Sequence, residues 1–219
     1  MPFKTPSITS EYIRSLLKPE RDEDIAAVMR YADENVCPVL LPETAAFLKQ
    51  IVGLKKPKKI LEIGTSIGYS GMIMLKNSAA ELCSVEMDEG CVETAKGFFA
   101  RAGFEKRVRI FVGDACEIVP LLEGEYDFIF LDGPKTRYPV FYPYLKKLLA
   151  AGGVLLADNV LFNGMVDGSG ERNPKKATIF EGIDRYLRLA FSDEEMTSSL
   201  LPVGDGLCLS IKKFGVGRS

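Results

Sequence analysis

The sequence contains no histidine. That excludes a Ser-His-Asp triad, an imidazole base and any histidine-ligated metal centre, and leaves carboxylates, lysines, tyrosines and cysteines to carry titratable chemistry. Cysteine is sparse: Cys37, Cys83, Cys91, Cys116 and Cys208 are odd in number and none stands in a CxxC pair. This argues against a disulfide framework and a structural zinc site, and suits a reducing cytoplasm. No apolar run approaches the roughly 18 residues that span a bilayer, and the opening MPFKTPSITSEYIRSLL lacks the apolar core of a secretory signal. A cytoplasmic protein with no membrane partner is expected. Charge of either sign is nearly balanced at a net −2, so whole-molecule attraction gives no argument for nucleic acid, although local basic patches remain possible. Internal repeats and interdomain linkers are absent too.

What is present is a chain of 219 residues, 47% hydrophobic and 26% charged, long enough to bury a core without staples. A single domain over 1–219 is expected. Residues 1–55 read as an N-terminal helical cap: Ile25, Val28, Met29 and Ala32 recur at helical spacing, and Pro42 can open a further helix carrying Phe47, Leu48, Ile51 and Val52. Over 56–219 short apolar runs alternate with helical stretches, the pattern of βαβ units. Strands are expected near Lys59–Ile63, Leu82–Glu86, Val108–Val112, Phe128–Asp132, Val154–Asp158, Thr197–Pro202 and Leu207–Lys213. Helices should fall near Gly68–Lys76, Glu89–Ala102, Tyr138–Ala150 and Ala177–Phe191. The fold class is therefore α/β: a Rossmann-like, seven-stranded, mainly parallel sheet with helices on both faces, closed by an antiparallel C-terminal hairpin around the turn Val203–Gly206. The stretch from Asn163 to Lys176 is glycine-rich and polar, as a mobile active-site loop would be.

Within ILEIGTSIGYS, Glu62 closes a strand and is followed by Gly64 and Gly68 before a helix begins. Glycine lets backbone approach a ligand, and open α/β sheets bind ligands at the carboxyl ends of their strands. A dinucleotide site wants GxGxxG to seat a pyrophosphate on a helix N-terminus, whereas this segment reads GxxxG with a carboxylate two positions ahead. That carboxylate would repel pyrophosphate, which disfavours a nicotinamide dehydrogenase. It suits the cationic sulfonium and aminoacyl end of S-adenosylmethionine. Glu86 closes the next strand, where an acidic group can accept from both ribose hydroxyls, and Asp114 with the Ala115 amide in VGDA can meet an adenine edge. Read singly, these are ordinary strand-end charges and turn glycines; acidic groups after three successive strands are harder to dismiss.

Asp132 ends FIFLDGPK, and Asp158 and Asn159 end the next strand in GVLLADNVLF. Two carboxylates and an amide carbonyl make a hard, all-oxygen ligand set that favours Mg²⁺, Mn²⁺ or Ca²⁺ over zinc or copper. The alternative is that Asp158 caps the following loop while Asp132 touches only a cofactor amine. Basic residues at Lys55, Lys56, Lys58 and Lys59, at Arg172, Lys175 and Lys176, and at Lys135 and Arg137 could meet phosphates near the site's rim, or be solvated surface lysines and arginines. Phe162, Tyr138 or Phe141 could stack on a base, although aromatics beside a parallel sheet are more often core.

Taken in order, LEIGTSIGYS, the strand-end Glu86, VGDA, LDGPKTRY and ADNVLFNG resemble the metal-dependent catechol and caffeoyl-coenzyme A type O-methyltransferases over roughly residues 25–213. Within that family CPVLLPE, DNVLFNG and PVGDGL are most similar to the bacterial tRNA 5-hydroxyuridine methyltransferases. The resemblance implies a methyltransferase sheet, a homodimer, and metal ligands at Asp132, Asp158 and Asn159. By the same motifs it implies cofactor contacts at Leu40, Glu62, Gly64, Ser70, Glu86, Asp114, Ala115 and Asp132. It also implies catalytic roles for Asp132 and for Lys135, which stands where the catechol enzymes carry a lysine regarded as their general base. Gly133 and Pro134 depart from bulkier residues of the mammalian catechol enzymes, so their substrate pocket does not transfer. Two acceptors share one chemistry: catechols present adjacent oxygens, and 5-hydroxyuridine places its hydroxyl beside the O4 carbonyl. The expected partner is thus tRNA or a small phenolic substrate. A cofactor-binding interaction protein without catalysis is the remaining class, disfavoured by the intact Asp132, Lys135, Asp158 and Asn159.

Overall fold

Three helices precede the sheet in the computed structural model, which describes residues 10–166, 168, 170 and 173–215. They are α1 (Ser10–Leu16), α2 (Glu23–Asn35) and α3 (Pro42–Lys55). Asp22 starts α2 by accepting the Asp24 and Ile25 amides, and Pro42 starts α3 where its missing N–H costs nothing. Then follow β1 (Lys59–Ile63), α4 (Tyr69–Lys76), β2 (Glu81–Glu86), α5 (Glu89–Arg101), β3 (Val108–Val112), the short α6 (Ala115–Ile118) and β4 (Tyr126–Leu131). The chain ends with α7 (Tyr138–Leu148), β5 (Leu149–Ala157), α8 (Ala177–Ser192), β6 (Met196–Leu201) and β7 (Leu207–Lys212).

All seven strands form one sheet in the order β3-β2-β1-β4-β5-β7-β6. Pairing is parallel from β3 through β5, while β7 runs antiparallel to both β5 and β6. The expected hairpin therefore lies at the sheet edge with its second strand inserted inward, and only β7 opposes the others. Chain order reverses between β1 and β4, and that switch point opens a crevice beyond their carboxyl ends.

The central strands are mostly apolar because both faces are covered. Ile60, Phe128 and Phe130 join one core with Val28, Leu48, Met72 and Phe99 of the helices α2 to α5. Leu61, Ile63, Ile129 and Leu131 join the other with Phe141, Leu145, Tyr138 and Tyr186 of α7 and α8. Tyr138 and Phe141 are buried at 0% and 1% exposure, so neither can stack on a substrate base; both complete this second core. β5 begins at Leu149 rather than at Val154, since Leu149 already pairs with Tyr126 ahead of a register shift. Among the described residues no helix is long and apolar enough to cross a membrane.

Candidate active site

Interstrand pairing runs one residue past each central strand and brings the site's backbone to a common level. The Gly64 amide donates to Val85 O (2.9 Å), Asp132 N to Ile63 O (2.9 Å) and Asp158 N to Leu131 O (3.0 Å). Gly64 has φ +99°, and a Cβ there would lie 2.5 Å from the carbonyl oxygen of Asp132, so only glycine lets the chain pass so close. Tyr138 ties the next pair of strand ends together, its buried hydroxyl lying 3.0 Å from Leu131 O and 3.1 Å from Asp158 O.

Above this edge lies a cavity of about 520 Å³. Leu40, from the α2–α3 connection, forms one wall with Pro38, Val39 and Leu41. The Gly64–Ser70 turn and Glu86 form a second, and Asp132, Lys135, Asp158 and Asn159 a third. Of the residues singled out for a cofactor, Leu40, Gly64, Ser70, Glu86 and Asp132 share the lining. Glu62, Asp114 and Ala115 do not.

Glu62 is fully buried beneath the lining, where its carboxylate accepts the Ser70 hydroxyl (2.5 Å) and the Ser84 hydroxyl (2.7 Å). The Thr65 and Ser84 hydroxyls are themselves 2.5 Å apart. Burial pushes the Glu62 carboxyl up to about 7 against the stabilising pull of these donors. Glu86 takes up the backbone instead: Oε2 accepts the Ser66 amide (2.8 Å), and Oε1 the Met87 and Asp88 amides (2.8 and 3.0 Å). Asp114 caps α6 by accepting the Cys116 amide at 2.7 Å.

Lys135 and Asp132 form an ion pair at 2.5 Å. Burial nonetheless raises the Asp132 carboxyl above its usual range, opposed by the Lys135 charge. Asp158 is almost fully buried, accepts the Asn159 amide at 2.7 Å, and is lifted to about 7 by burial and then by the Asp132 charge. Asn159 adopts the left-handed conformation (φ +57°). A half-buried carboxylate, Asp132, that raises the proton affinity of a buried one, Asp158, with an amide beside them, fits a divalent cation kept partly hydrated. Among the described residues no group of three or more carboxylate or thiol side chains converges to hold an ion.

Asn163, which opens the expected active-site loop, also lines the cavity, as does Asp205, which escaped the sequence reading. VGDG reads as a turn between strands; that the turn folds over this edge follows only once β6 is known to run in the same direction as β5 and to end at the same edge, with β7 between them. The basic clusters separate. Lys58 and Lys59 donate their amides to Asp127 at the start of β4, and Lys55 Nζ reaches Gly152 O, which places that cluster toward the opposite sheet edge and corrects its expected position at the rim. Lys175 and Lys176 precede α8, with Lys176 Nζ 5.2 Å from the Phe162 ring centroid; Arg172 lies outside the described residues.

A family model described as O-methyltransferase matches residues 23–213. The chain is 29% identical over 214 residues to a catechol O-methyltransferase of Niastella koreensis, covering 92% of this chain and 95% of that protein. It is 29% identical over 178 residues to a protein of Dictyostelium discoideum named probable caffeoyl-CoA O-methyltransferase 2, covering 78% of this chain and 75% of the relative. Among solved structures, the O-methyltransferase from Bacillus cereus in complex with SAH superposes with a TM-score of 0.80 at 25% identity, covering 93% and 96% of the two chains.

Proposed function

The chain belongs to the O-methyltransferase family, and on that premise we propose that it moves the methyl group of S-adenosylmethionine onto a hydroxyl oxygen held beside a divalent cation, with 5-hydroxyuridine in tRNA as the acceptor. The observation that carries the reading is electrostatic: one cavity collects Glu86, Asp132, Asp158 and Asp205, and among the described residues its lining holds a single lysine, Lys135. Such an excess of carboxylate suits a sulfonium cofactor and a hard cation together, and would reject a pyrophosphate.

In this reading the ribose hydroxyls meet Glu86, which keeps one free lone pair on Oε2 beside its three backbone partners, and the aminoacyl end lies against Ser70, itself held from below by Glu62. Leu40 and its neighbours exclude water from the sulfonium. Asp132, Asp158 and Asn159 are the residues that would hold Mg²⁺, Mn²⁺ or Ca²⁺, which when bound would acidify the acceptor hydroxyl and orient its two oxygens. Lys135, once its ammonium has released a proton to solvent, takes up the hydroxyl proton as the free amine, the methyl leaves sulfur for oxygen in line, and the cofactor departs as neutral S-adenosylhomocysteine. Support for the RNA acceptor is the likeness in CPVLLPE, DNVLFNG and PVGDGL and the lysines before α8. A small catechol-like phenol is the second reading, favoured by the catechol O-methyltransferase relative, which aligns over nearly its whole length. The proposal includes a homodimer, checked by sedimentation velocity.

The test is to incubate the protein with labelled S-adenosylmethionine, Mg²⁺ and tRNA from cells lacking the enzyme, in parallel with catechol, and to analyse nucleosides by mass. We expect 5-methoxyuridine, abolished by EDTA while much of the cofactor binding survives, because only Asp132 is shared by the two sites. Unmethylated tRNA beside methylated catechol would replace the first reading by the second. Full turnover in metal-free buffer would remove the cation from it.

A further inference from the structure

The segment after β5 is held in a conformation that Phe162 disfavours. Asn159, Phe162 and Asn163 all have positive φ (57°, 48° and 54°), a region that asparagine enters readily but a bulky side chain such as phenylalanine rarely does. Such a stretch persists only where surrounding structure over-determines it. The determining contacts come from the turn between β6 and β7. Val160 N donates to Gly206 O (3.0 Å), Leu161 N to Asp205 O (2.9 Å), and Asn163 N to the Asp205 carboxylate (2.5 Å). Gly206, at φ +87°, packs against Leu161 so closely that a Cβ would overlap its side chain and amide. The Val160 side chain is fully buried and anchors the segment from the other side.

Asp205 therefore borders the cavity without converging on Asp132 and Asp158 closely enough to share an ion with them. We infer that Asp205 is a positioning residue of the active site, whose carboxylate and carbonyl clamp residues 160–163 and so keep the Asn159 amide on the cavity wall beside Asp132 and Asp158. The inference rests on the preceding reading for what Asn159 does there; the clamp itself rests on the hydrogen bonds alone. Function of the carboxylate is local: it accepts the Asn163 amide. An asparagine at 205 offers the same acceptor oxygen without the charge, and an alanine offers none.

The experiment compares the full-length wild type with Asp205→Ala and Asp205→Asn, with Asp205→Ser as a second truncation should the alanine variant not fold. Amide hydrogen exchange of peptides spanning 160–166 is followed by mass spectrometry, S-adenosylmethionine affinity by calorimetry, and methyl transfer by kcat and KM. Asp205→Ala should exchange faster at Val160 to Asn163 and lose about 10- to 100-fold in kcat, as supporting partners of ligand residues do, with cofactor affinity unchanged. Asp205→Asn should restore protection and bring kcat to within about fivefold of the wild type, the difference between a charged and a neutral acceptor. Unchanged exchange in Asp205→Ala would overturn the clamp, and equal damage from both substitutions would make the charge, not the clamp, the role. Faster exchange with unaltered kcat would show that the segment does not serve transfer. Should the wild type methylate no acceptor at all, the functional reading falls while the exchange measurement still decides the clamp.

Discussion

Glu62 carries a carboxylate with no solvent contact and only hydroxyl donors around it. Desolvation dominates those donors and pushes it up to about 7 from an ordinary 4.5. Between these values the folded chain keeps a proton that the unfolded chain has released, so unfolding binds fewer protons and stability falls as pH rises from about 4.5 to about 7, then levels. At about 1.4 kcal/mol per unit the loss is on the order of 3 kcal/mol. Glu62→Gln should flatten this part of the profile, measured as urea midpoints from pH 5 to 8. Parallel profiles for the two proteins would mean that Glu62 is already ionised at pH 5. The residue was legible in ILEIGTSIGYS as an acidic group at a strand end; its distance from the ligand surface was not, because only packing buries it behind Ser70. Asp114 shows the same gap, since a strand-end aspartate and a helix cap look identical in a motif.

At the scale of elements, the site depends on three strands ending level. The Tyr138 hydroxyl faces carbonyls from both β4 and β5 from the first residue of α7, and so fixes the spacing of the strand ends that carry Asp132 and Asp158. Tyr138→Phe should destabilise the protein by about 1 kcal/mol, the loss of one buried hydrogen bond, since Leu131 O keeps the Asp158 amide. It should lower kcat more than it weakens cofactor binding, because Glu86 and the Gly64–Ser70 turn belong to β1 and β2. A variant with wild-type kcat and wild-type stability would show the spacing to be set elsewhere. Helix and strand positions were readable from periodicity and glycine turns, and the observed ends differ mostly by a residue or two. The early start of β5 was not readable, since Leu149 can extend α7 or pair with Tyr126, and only the sheet decides.

For the whole molecule, a net charge of −2 hides an uneven distribution: carboxylates gather in the cavity while Lys175 and Lys176 stand before α8 near Phe162. If phosphates help to hold an RNA acceptor, replacing both lysines by alanine should weaken tRNA binding and flatten its salt dependence by up to about two units of slope. Catechol turnover should hardly change, since a small phenol needs only the cavity. Titrating tRNA binding against salt, with catechol kinetics alongside, checks this. Equal losses on both substrates would make the segment a lid over the reaction rather than an RNA contact. The cluster at Lys55 to Lys59 belongs to the other end of the sheet and should leave both measurements unaltered.

By itself the sequence determined the class of fold, because alternating apolar runs and helical periods admit few arrangements. It also determined the acidic character of the strand ends, because turn glycines and terminal carboxylates are local features. Tertiary structure alone decided which of those carboxylates face the cavity and which support it: Glu86, Asp132 and Asp158 line it, Glu62 lies behind it and Asp114 caps a helix. It alone brought in Asp205, from 47 positions beyond Asp158. The reason is topological. Inserting β7 between β5 and β6 makes β6 end at the same edge as the parallel strands, and no local pattern records the order in which strands sit side by side.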